Sequence, residues 1–531
     1  MKRSRPPAPR RIGRVFVTAL LLIASTRVVG APFADAATPP DRLHVTGEGL
    51  ELVLSPSDAA PLVWRACHPS CAAADTASGT SVRFVVTVRP AVLGGSGGDA
   101  AVALSSAPAT VEVTETPRGR MVTFAGQSSG GVRLVTAFEV ARRGYEVAVA
   151  IRVTGARAEA FMAGRRLAID LEAAPRWSPP AATGWRAIGD DVRRVLVGGA
   201  GTRRLGEGEP SRVPLGAGQW VGFRDRFWTF LARGDDGAAA DLARAPLALR
   251  LESATGASEV RYTIYSGPVQ YEALGHADPV LRQLLFSGLW SWLRALSVGA
   301  LRLLDLLTAI VGRPGLAIIL LAVAVKLLLL PVTTIAHRLQ ARVDEARSRL
   351  QPEIDAIKAA YRGEEQARRL VALYRRERVH PLYTLQSLAG VLIQLPVFIA
   401  VFDMLAENFA LHGASFLGIR DLAQPDALIP LPVGLPWLGP RLNLLPFVMS
   451  AVSLAAAARY EAAPLTPDLV RRQRRNLAGM ALLFFVLFYA FPAGMVLYWT
   501  STNALQLAVR ELSRWPRRKR KLAGGSKRSR C

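Results

Sequence analysis

Cysteine and histidine are scarce in this chain, and their placement argues against a metal centre or an enzyme active site. The 531 residues include three cysteines and six histidines, with no H-E-x-x-H spacing and no G-x-x-x-x-G-K-[ST] loop. A literal G-x-S-x-G at Gly94–Gly98 lies in a Gly-rich stretch without the strand-turn-helix pattern of a nucleophile elbow, so it indicates a linker. We therefore expect no catalytic residues, no metal, no cofactor and no enzymatic activity.

The three cysteines leave one structural question open. Cys67 and Cys71 lie four residues apart, in a segment for which we argue below that it is exported. A disulfide is permitted outside the cytoplasm. The same spacing suits two free thiols equally well. Cys531 is the last residue and is not part of a prenylation motif, so we assign it no role.

Acidic residues are also fewer than basic residues. The chain has 41 Asp and Glu against 66 Lys and Arg, a net charge of +25, while half of its residues are hydrophobic. The basic residues concentrate beside apolar runs, in segments 2–14, 338–378, 459–475 and 510–530. This distribution favours the positive-inside pattern of a membrane protein over nucleic-acid binding, which would interleave basic and aromatic residues on a soluble domain.

The apolar run Leu316–Val332 (LAIILLAVAVKLLLLPV) is interrupted by one charge, Lys326. Seventeen helical residues rise about 25 Å, close to the roughly 30 Å hydrocarbon core of a bilayer, and Pro314 is well placed to open the helix. A lysine inside a membrane span usually faces a bundle interior or a water-filled cavity. The alternative is that Lys326 snorkels to the interface, since Pro331 follows five residues later.

The N-terminal 1–39 has the outline of a signal peptide or a transmembrane anchor. A basic segment precedes the apolar core Val15–Ser25, and Ala34-Asp35-Ala36 matches an A-x-A cleavage pattern. The segment remains an uncleaved anchor if the helix continues through Val28 and Val29. In either case we expect the residues that follow to be exported.

Residues 40–275 change to a period of two, which predicts an exported all-β sandwich. Apolar and polar residues alternate in Ser81–Val88, Val132–Val140, Tyr145–Val153 and Arg261–Tyr265. In 276–313 the helical period returns and includes Trp290 and Trp292. This pattern predicts an amphipathic helix at the membrane interface, with packing on the sandwich as the alternative.

Residues 314–509 predict a transmembrane core of five spans. After the first span, a cytoplasmic helical hairpin over 334–380 breaks at Gly363, and basic residues favour its location inside. Further spans are predicted at Leu385–Leu405 and Leu442–Ala458. The long run Leu477–Val509 divides at Phe491–Gly494 into two helices, which places the basic tail 510–531 in the cytoplasm.

Two motifs in this core resemble the YidC membrane insertases of the Oxa-type superfamily, in their Gram-negative bacterial form. Ile393-Gln394-Leu395-Pro396-Val397-Phe398 is similar to the family's IQxPxF stretch, and Phe491–Trp499 (FPAGMVLYW) resembles its closing turn and final span. Asn503 follows as in the family. The resemblance is specific over Leu289–Val509 and weaker in the sandwich.

The resemblance implies an insertase and chaperone of the bacterial inner membrane, with the sandwich in the periplasm. Such proteins insert nascent membrane proteins through a hydrophilic groove, alone or with the Sec translocon, and need no covalent chemistry. Other implied partners are membrane lipids and the ribosome, through the basic tail and hairpin. The implied groove residues are Lys326, Gln394, Tyr498, Trp499 and Asn503. For Tyr498 and Trp499, ordinary helix packing is the alternative.

The chain departs from the family at several positions. Lys326 stands where the family usually has arginine, so the charge is kept and the bidentate guanidinium is lost. Ala322 stands where some relatives have a hydroxyl, and His380-Pro381-Leu382 replaces the usual Asn-Pro-Leu.

Two other functions are compatible with parts of the sequence. An intramembrane cation also suits an ion-coupled transporter or channel, although the spans show no internal repeat. A membrane-anchored carbohydrate-processing sandwich would require paired carboxylates, which the sequence does not place.

Overall fold

A computed structural model of the chain describes residues 42–56, 59–67, 78–90, 102–104, 106–128, 131–174, 192–206, 209–234, 238–244, 247–376, 389–435, 439–460 and 467–525. The predicted signal or anchor segment 1–39, the Gly94–Gly98 linker, Cys71 and His380-Pro381-Leu382 lie outside these ranges. Cys67 is disulfide-bonded, which decides against a free thiol at this position.

Strands dominate the described part of 40–275. In chain order they are β1 (Leu43–Thr46), β2 (Leu50–Ser55), β3 (Ala60–Ala66), β4 (Ser78–Pro90), β5 (Val102–Ala103), β6 (Ser106–Glu115), β7 (Gly119–Ser128), β8 (Arg133–Ala141), β9 (Glu146–Thr154), β10 (Arg165–Ala174), β11 (Arg193–Gly198), β12 (Gly201–Leu205), β13 (Arg212–Pro214), β14 (Trp220–Arg224), β15 (Trp228–Gly234), β16 (Ala239–Arg244), β17 (Leu247–Glu252) and β18 (Glu259–Pro268).

These strands form two antiparallel sheets, which confirms the predicted all-β sandwich. One sheet has the order β1-β2-β3-β4-β10-β17-β16-β13, with β5 beside β4, and the other has the order β12-β11-β14-β15-β18-β9-β8-β7-β6. Residues of β8 alternate between buried and accessible, as the period of two predicts. Aromatic rings from the two sheets meet in the core: Trp64 lies 6.1 Å from Phe230, and Phe84 lies 5.3 Å from Phe138.

Helices dominate the remainder of the described chain. They are α1 (Ala158–Met162, within the sandwich), α2 (Tyr271–Ala277), α3 (Ser291–Val311), α4 (Pro314–Leu328), α5 (Leu330–Ala360), α6 (Gly363–Arg376), α7 (Ala389–Glu407), α8 (Leu445–Ala458), α9 (Pro467–Phe488) and α10 (Ala493–Gly525). Short 3-10 helices occupy Pro279–Leu284 and Phe409–Leu411, and β19 (Ile429–Leu435) pairs with β20 (Gly439–Leu442). Within the described ranges, no helix combines the length and the apolar character needed to cross a membrane.

Two predicted breaks in the helical region are confirmed. The long run Leu477–Val509 divides between α9 and α10 at the turn that contains Pro492. The hairpin α5–α6 turns at Gly363, whose φ of +60° is a left-handed conformation that glycine adopts without strain. Buried Leu350, Ile354 and Leu373 hold the two helices of this hairpin together.

Two other boundaries differ from the prediction. The run Leu316–Val332 is not one helix, because α4 ends at Leu328 and Pro331 lies in the first turn of α5, where it has no N–H to donate. The helical pattern over 276–313 is interrupted as well. The chain turns at Phe286, which has a φ of +53°, and α3 begins only at Ser291. This helix packs on α4 and α7. Its predicted place at the membrane interface stays a prediction.

A buried ion pair joins the sandwich to the helical region. Arg224, at the end of β14, donates from Nη2 to Glu407 Oε2 at 2.7 Å, and Glu407 is the last residue of α7. The side chain of Arg224 is 7% exposed and that of Glu407 is 19% exposed. The backbone N–H of Phe286 also donates to Glu407 Oε2, and Arg224 donates to the carbonyl of Leu284. This carboxylate therefore fixes three chain segments relative to one another.

A second polar cluster lies where the sandwich meets the segment that leads to the helices. Asp278 Oδ2 accepts from Trp220 Nε1 at 3.0 Å and from Arg233 Nη1 at 2.8 Å. Glu146 at the start of β9 is close enough to interact with both charges of this cluster. Burial raises the pKa of Glu146 to about 7, Arg233 opposes the increase and Asp278 adds to it.

The raised pKa of Glu146 predicts that stability falls as pH rises from about 4.5 to about 7. In this window the unfolded chain has released the proton that the folded protein still holds, so increasing pH favours unfolding. The Glu146→Gln variant should lack this component, and its melting temperature should depend less on pH in the same window. Thermal unfolding of both proteins at several pH values checks this, and parallel pH profiles would contradict it.

Candidate functional site

Four of the five sequence-predicted groove residues meet at one small cavity. Lys326 on α4, Gln394 on α7, and Tyr498 and Trp499 on α10 line a space of about 30 Å³. The other lining residues are Ala322, Val325, Leu329, Val397, Phe398 and Thr502. The cavity thus lies where α4, α7 and α10 approach one another, and it mixes apolar walls with one cation, one amide and two aromatic side chains with polar edges.

Lys326 is half-buried beside a well-packed helix face. Neighbouring Ala322 and Val325 on α4 are buried in the bundle. In the part of the chain that the structure describes, no carboxylate lies within ion-pair distance of Lys326. The charged side chain that acts on Lys326 is another cation, Arg510 of α10. The cavity is therefore electropositive, and an incoming negative group would be attracted to it.

Gln394 lies on an accessible part of α7, close to the proline that interrupts this helix. Its side chain is exposed, whereas the residues toward the end of α7 become buried. Pro396 lies inside the helix and has no N–H, so one backbone carbonyl of the preceding turn lacks its helical partner. The amide of Gln394 and this carbonyl make the α7 wall more polar than its apolar sequence indicates.

The two aromatic residues of α10 have different environments. Tyr498 is buried and lies 6.3 Å from the ring of Phe402. Trp499 is partly accessible and packs against several phenylalanines of α7 and α9, with centroid distances of 5.1 Å to Phe398, 5.2 Å to Phe484 and 5.4 Å to Phe488. Both residues line the cavity and also pack against other helices. Their contact with substrate stays a prediction.

Asn503 does not line the cavity that contains Lys326. It lies one helical turn after Trp499, and its Nδ2 donates to Ser453 Oγ of α8 at 3.0 Å. It lines a separate cavity of about 210 Å³ between α8, α9 and α10, and Trp499 forms part of the wall of both cavities. Thr502, one turn after Tyr498, occupies the position in the first cavity that the sequence had assigned to Asn503.

The loop after α7 closes one end of the helical bundle, which the sequence did not predict in detail. The backbone N–H groups of Ala493 and Gly494, at the start of α10, donate to the carbonyls of Gln424 and Leu422 at 2.7 and 2.8 Å. Asn443 Nδ2 donates to the carbonyl of Tyr489 in the turn between α9 and α10. Two main-chain hydrogen bonds and one from the Asn443 side chain therefore hold the loop and this turn together.

Acidic and metal-binding side chains contribute little to the described site. In the described ranges, no group of three His, Cys, Asp or Glu side chains has a geometry that could hold a metal ion. The arrangement can provide a local positive potential, a few hydrogen-bonding groups and apolar surface, which suit non-covalent binding of a segment with both acidic and apolar parts.

Comparison with known proteins finds a matching family model and several similar proteins. The family model described as 60Kd inner membrane protein matches residues 306–514. A protein of Ralstonia nicotianae named membrane protein insertase YidC is 32% identical over 248 residues, which are 46% of this chain and 40% of that protein. A protein of Paracoccus denitrificans with the same name is 29% identical over 332 residues, or 57% of this chain and 50% of that protein. The chain thus spans half or less of the length of these curated relatives.

A solved structure described as an active YidC insertase with its first transmembrane domain resolved is also similar. The sequence identity is 18%, the likeness covers 89% of this chain and 93% of that chain, and the TM-score is 0.34.

Proposed function

We propose that this chain, whose residues 306–514 match the family model described as 60Kd inner membrane protein, inserts newly made membrane proteins into the bacterial inner membrane. The observation that carries this proposal is the half-buried Lys326 in a cavity that offers it no carboxylate within the described residues. A buried charge is stabilised by an opposite charge or by water. A substrate with an acidic exported segment would supply that opposite charge.

In the proposed mechanism, the substrate binds in two stages without covalent chemistry. The acidic exported part is first attracted to Lys326, while Gln394 and trapped water solvate its polar backbone. The apolar segment then lies along aromatic residues such as Trp499 and partitions into lipid, because transfer of apolar surface out of water is favourable.

The proposed topology has five core spans formed by α4, α7, α8, α9 and α10. The sandwich lies in the periplasm, α3 lies at the membrane interface, and the hairpin α5–α6 and the basic tail lie in the cytoplasm. Support comes from the positive-inside distribution of Lys and Arg and from exposed Trp290 and Trp292, which are 72% and 50% accessible. The Sec translocon, the ribosome and anionic lipids are proposed partners on the basis of the family resemblance.

A complementation experiment tests the proposed function. We expect expression of the full chain to restore growth and membrane-protein insertion in bacteria depleted of their own insertase, with an empty vector as the control. Failure to restore growth, despite normal expression and membrane localisation, would contradict the proposal. An ion flux that appears only on expression would instead support the transporter or channel alternative.

A further inference from the structure

The larger cavity beside the candidate site has an apolar interior. It measures about 210 Å³ and lies between α8, α9 and α10. The walls include mainly apolar or small side chains: Ala456, Ala457, Leu477, Met480, Ala481, Phe484 and Trp499. The amide of Asn503 on the wall is already bonded to Ser453, so it does not make the interior strongly polar.

The cavity is bordered by arginines on one side. Arg510 is one of its lining residues, and so are Tyr460 and Gln506. Arg474 Nε donates to the carbonyl of Tyr460 at 2.9 Å, and Arg459 precedes Tyr460 in the chain. One carboxylate is close, because Arg459 Nε lies 3.8 Å from Glu511 Oε1. Among the residues that the structure describes at this border, the three arginines outnumber Glu511, so their charges sum to a positive value.

The size of the cavity limits what can enter it. About 10–15 Å³ of such space is enough for one water molecule, so an open cleft of about 210 Å³ accommodates a larger group. An α-helix with its side chains is about 10–12 Å wide, which is too wide for this space. A thin apolar chain fits this space, whereas the helical substrate of the proposed insertase site does not.

We propose that this cavity binds one acyl chain of an anionic glycerophospholipid, with the phosphate of the headgroup beside Arg510. The apolar walls then surround methylene groups, and the arginines at the border contact phosphate oxygens, for which the guanidinium group provides charge-assisted hydrogen bonds. The amide of Gln506 also lines the cavity. The lipid site rests on the proposed membrane location of α8, α9 and α10, but it does not require insertase activity, because a bilayer supplies the ligand.

Lipid binding to the purified, delipidated full chain in detergent tests this proposal. We expect phosphatidylglycerol to raise the melting temperature and to remain bound in native mass spectrometry. Phosphatidylcholine should bind about tenfold more weakly, because its cationic choline group is repelled by the arginines at the border. Arg510→Gln should weaken phosphatidylglycerol binding to a similar extent. Arg472→Gln removes an exposed arginine of α9 that does not line the cavity, and it should bind like the original protein.

A second variant tests occupancy of the cavity separately from charge. Ala481→Leu adds a larger side chain to the apolar wall, so it should prevent lipid binding while keeping the melting temperature of the lipid-free protein unchanged or higher. Equal binding of phosphatidylglycerol to the original protein, Arg510→Gln and Ala481→Leu would overturn the proposal. A full effect of inorganic phosphate alone would also overturn it, because it would indicate a site for free anions.

Discussion

Replacing Lys326 with glutamate is expected to reduce insertion at least about tenfold, while Lys326→Arg retains it. The positive charge lies half-buried in the cavity between α4, α7 and α10, and reversal converts attraction of an acidic segment into repulsion. A tenfold effect requires only about 1.4 kcal/mol. Two unit charges 4 Å apart near a protein surface interact by about 4 kcal/mol, so reversal of this charge is sufficient to cause a tenfold reduction.

The measurement is insertion of a single-span substrate by each variant, with either an acidic or a neutralised exported tail. The loss in Lys326→Glu should be largest for the acidic tail. Lys358→Glu provides the matched control, because Lys358 is exposed on the α5–α6 hairpin and does not line the cavity. Equal insertion by the original protein, Lys326→Arg and Lys326→Glu would exclude the proposed role of this charge.

Arg224→Ala is expected to produce the largest loss of stability, because it removes the cation that pairs with Glu407 at a junction of three segments. The pair is 2.7 Å apart and mostly buried. Removing one member of a buried ion pair typically destabilises a protein by about 3–5 kcal/mol. In a domain of 150–250 residues each kcal/mol lowers the melting temperature by roughly 2–4 °C, so a decrease of about 6–20 °C is predicted.

Thermal unfolding of Arg224→Ala, Glu407→Gln and the double variant measures this effect and the coupling between the two residues. The double variant should be less destabilised than the sum of the single variants. Arg152→Ala is the control, since Arg152 pairs with Glu259 at 2.9 Å on the exposed surface of the sandwich, where little change is expected. An equal effect of Arg224→Ala and Arg152→Ala would show that the junction is not held by this pair.

Local sequence patterns predicted the elements of the fold better than their contacts. Alternation in Val132–Val140 identified β8, and the Pro-containing turn at Phe491–Gly494 divided α9 from α10, because both signals arise from neighbouring residues. The ion pair between Arg224 and Glu407 joins residues 183 positions apart. Neither residue has a local signal for the other, so no periodicity could have paired them.

The candidate site was predictable in part for the same reason. Motifs selected Lys326, Gln394, Tyr498 and Trp499, which the fold brings to one cavity. Asn503 was assigned to the same group from its place in the motif, although the helical period places it with Trp499 on the side of α10 that faces α8. The helical region contains two separate cavities because of the way α8 and α9 pack, which the sequence pattern does not specify.

The most direct test of the proposed insertase function uses proteoliposomes that contain only the purified full chain. A small single-span protein with an acidic exported tail is added, and its insertion is measured as a protease-protected fragment. The proposal predicts that the fragment forms in these proteoliposomes and is strongly reduced with Lys326→Glu. Absence of the protected fragment, together with an ion flux across the same membranes, would contradict it.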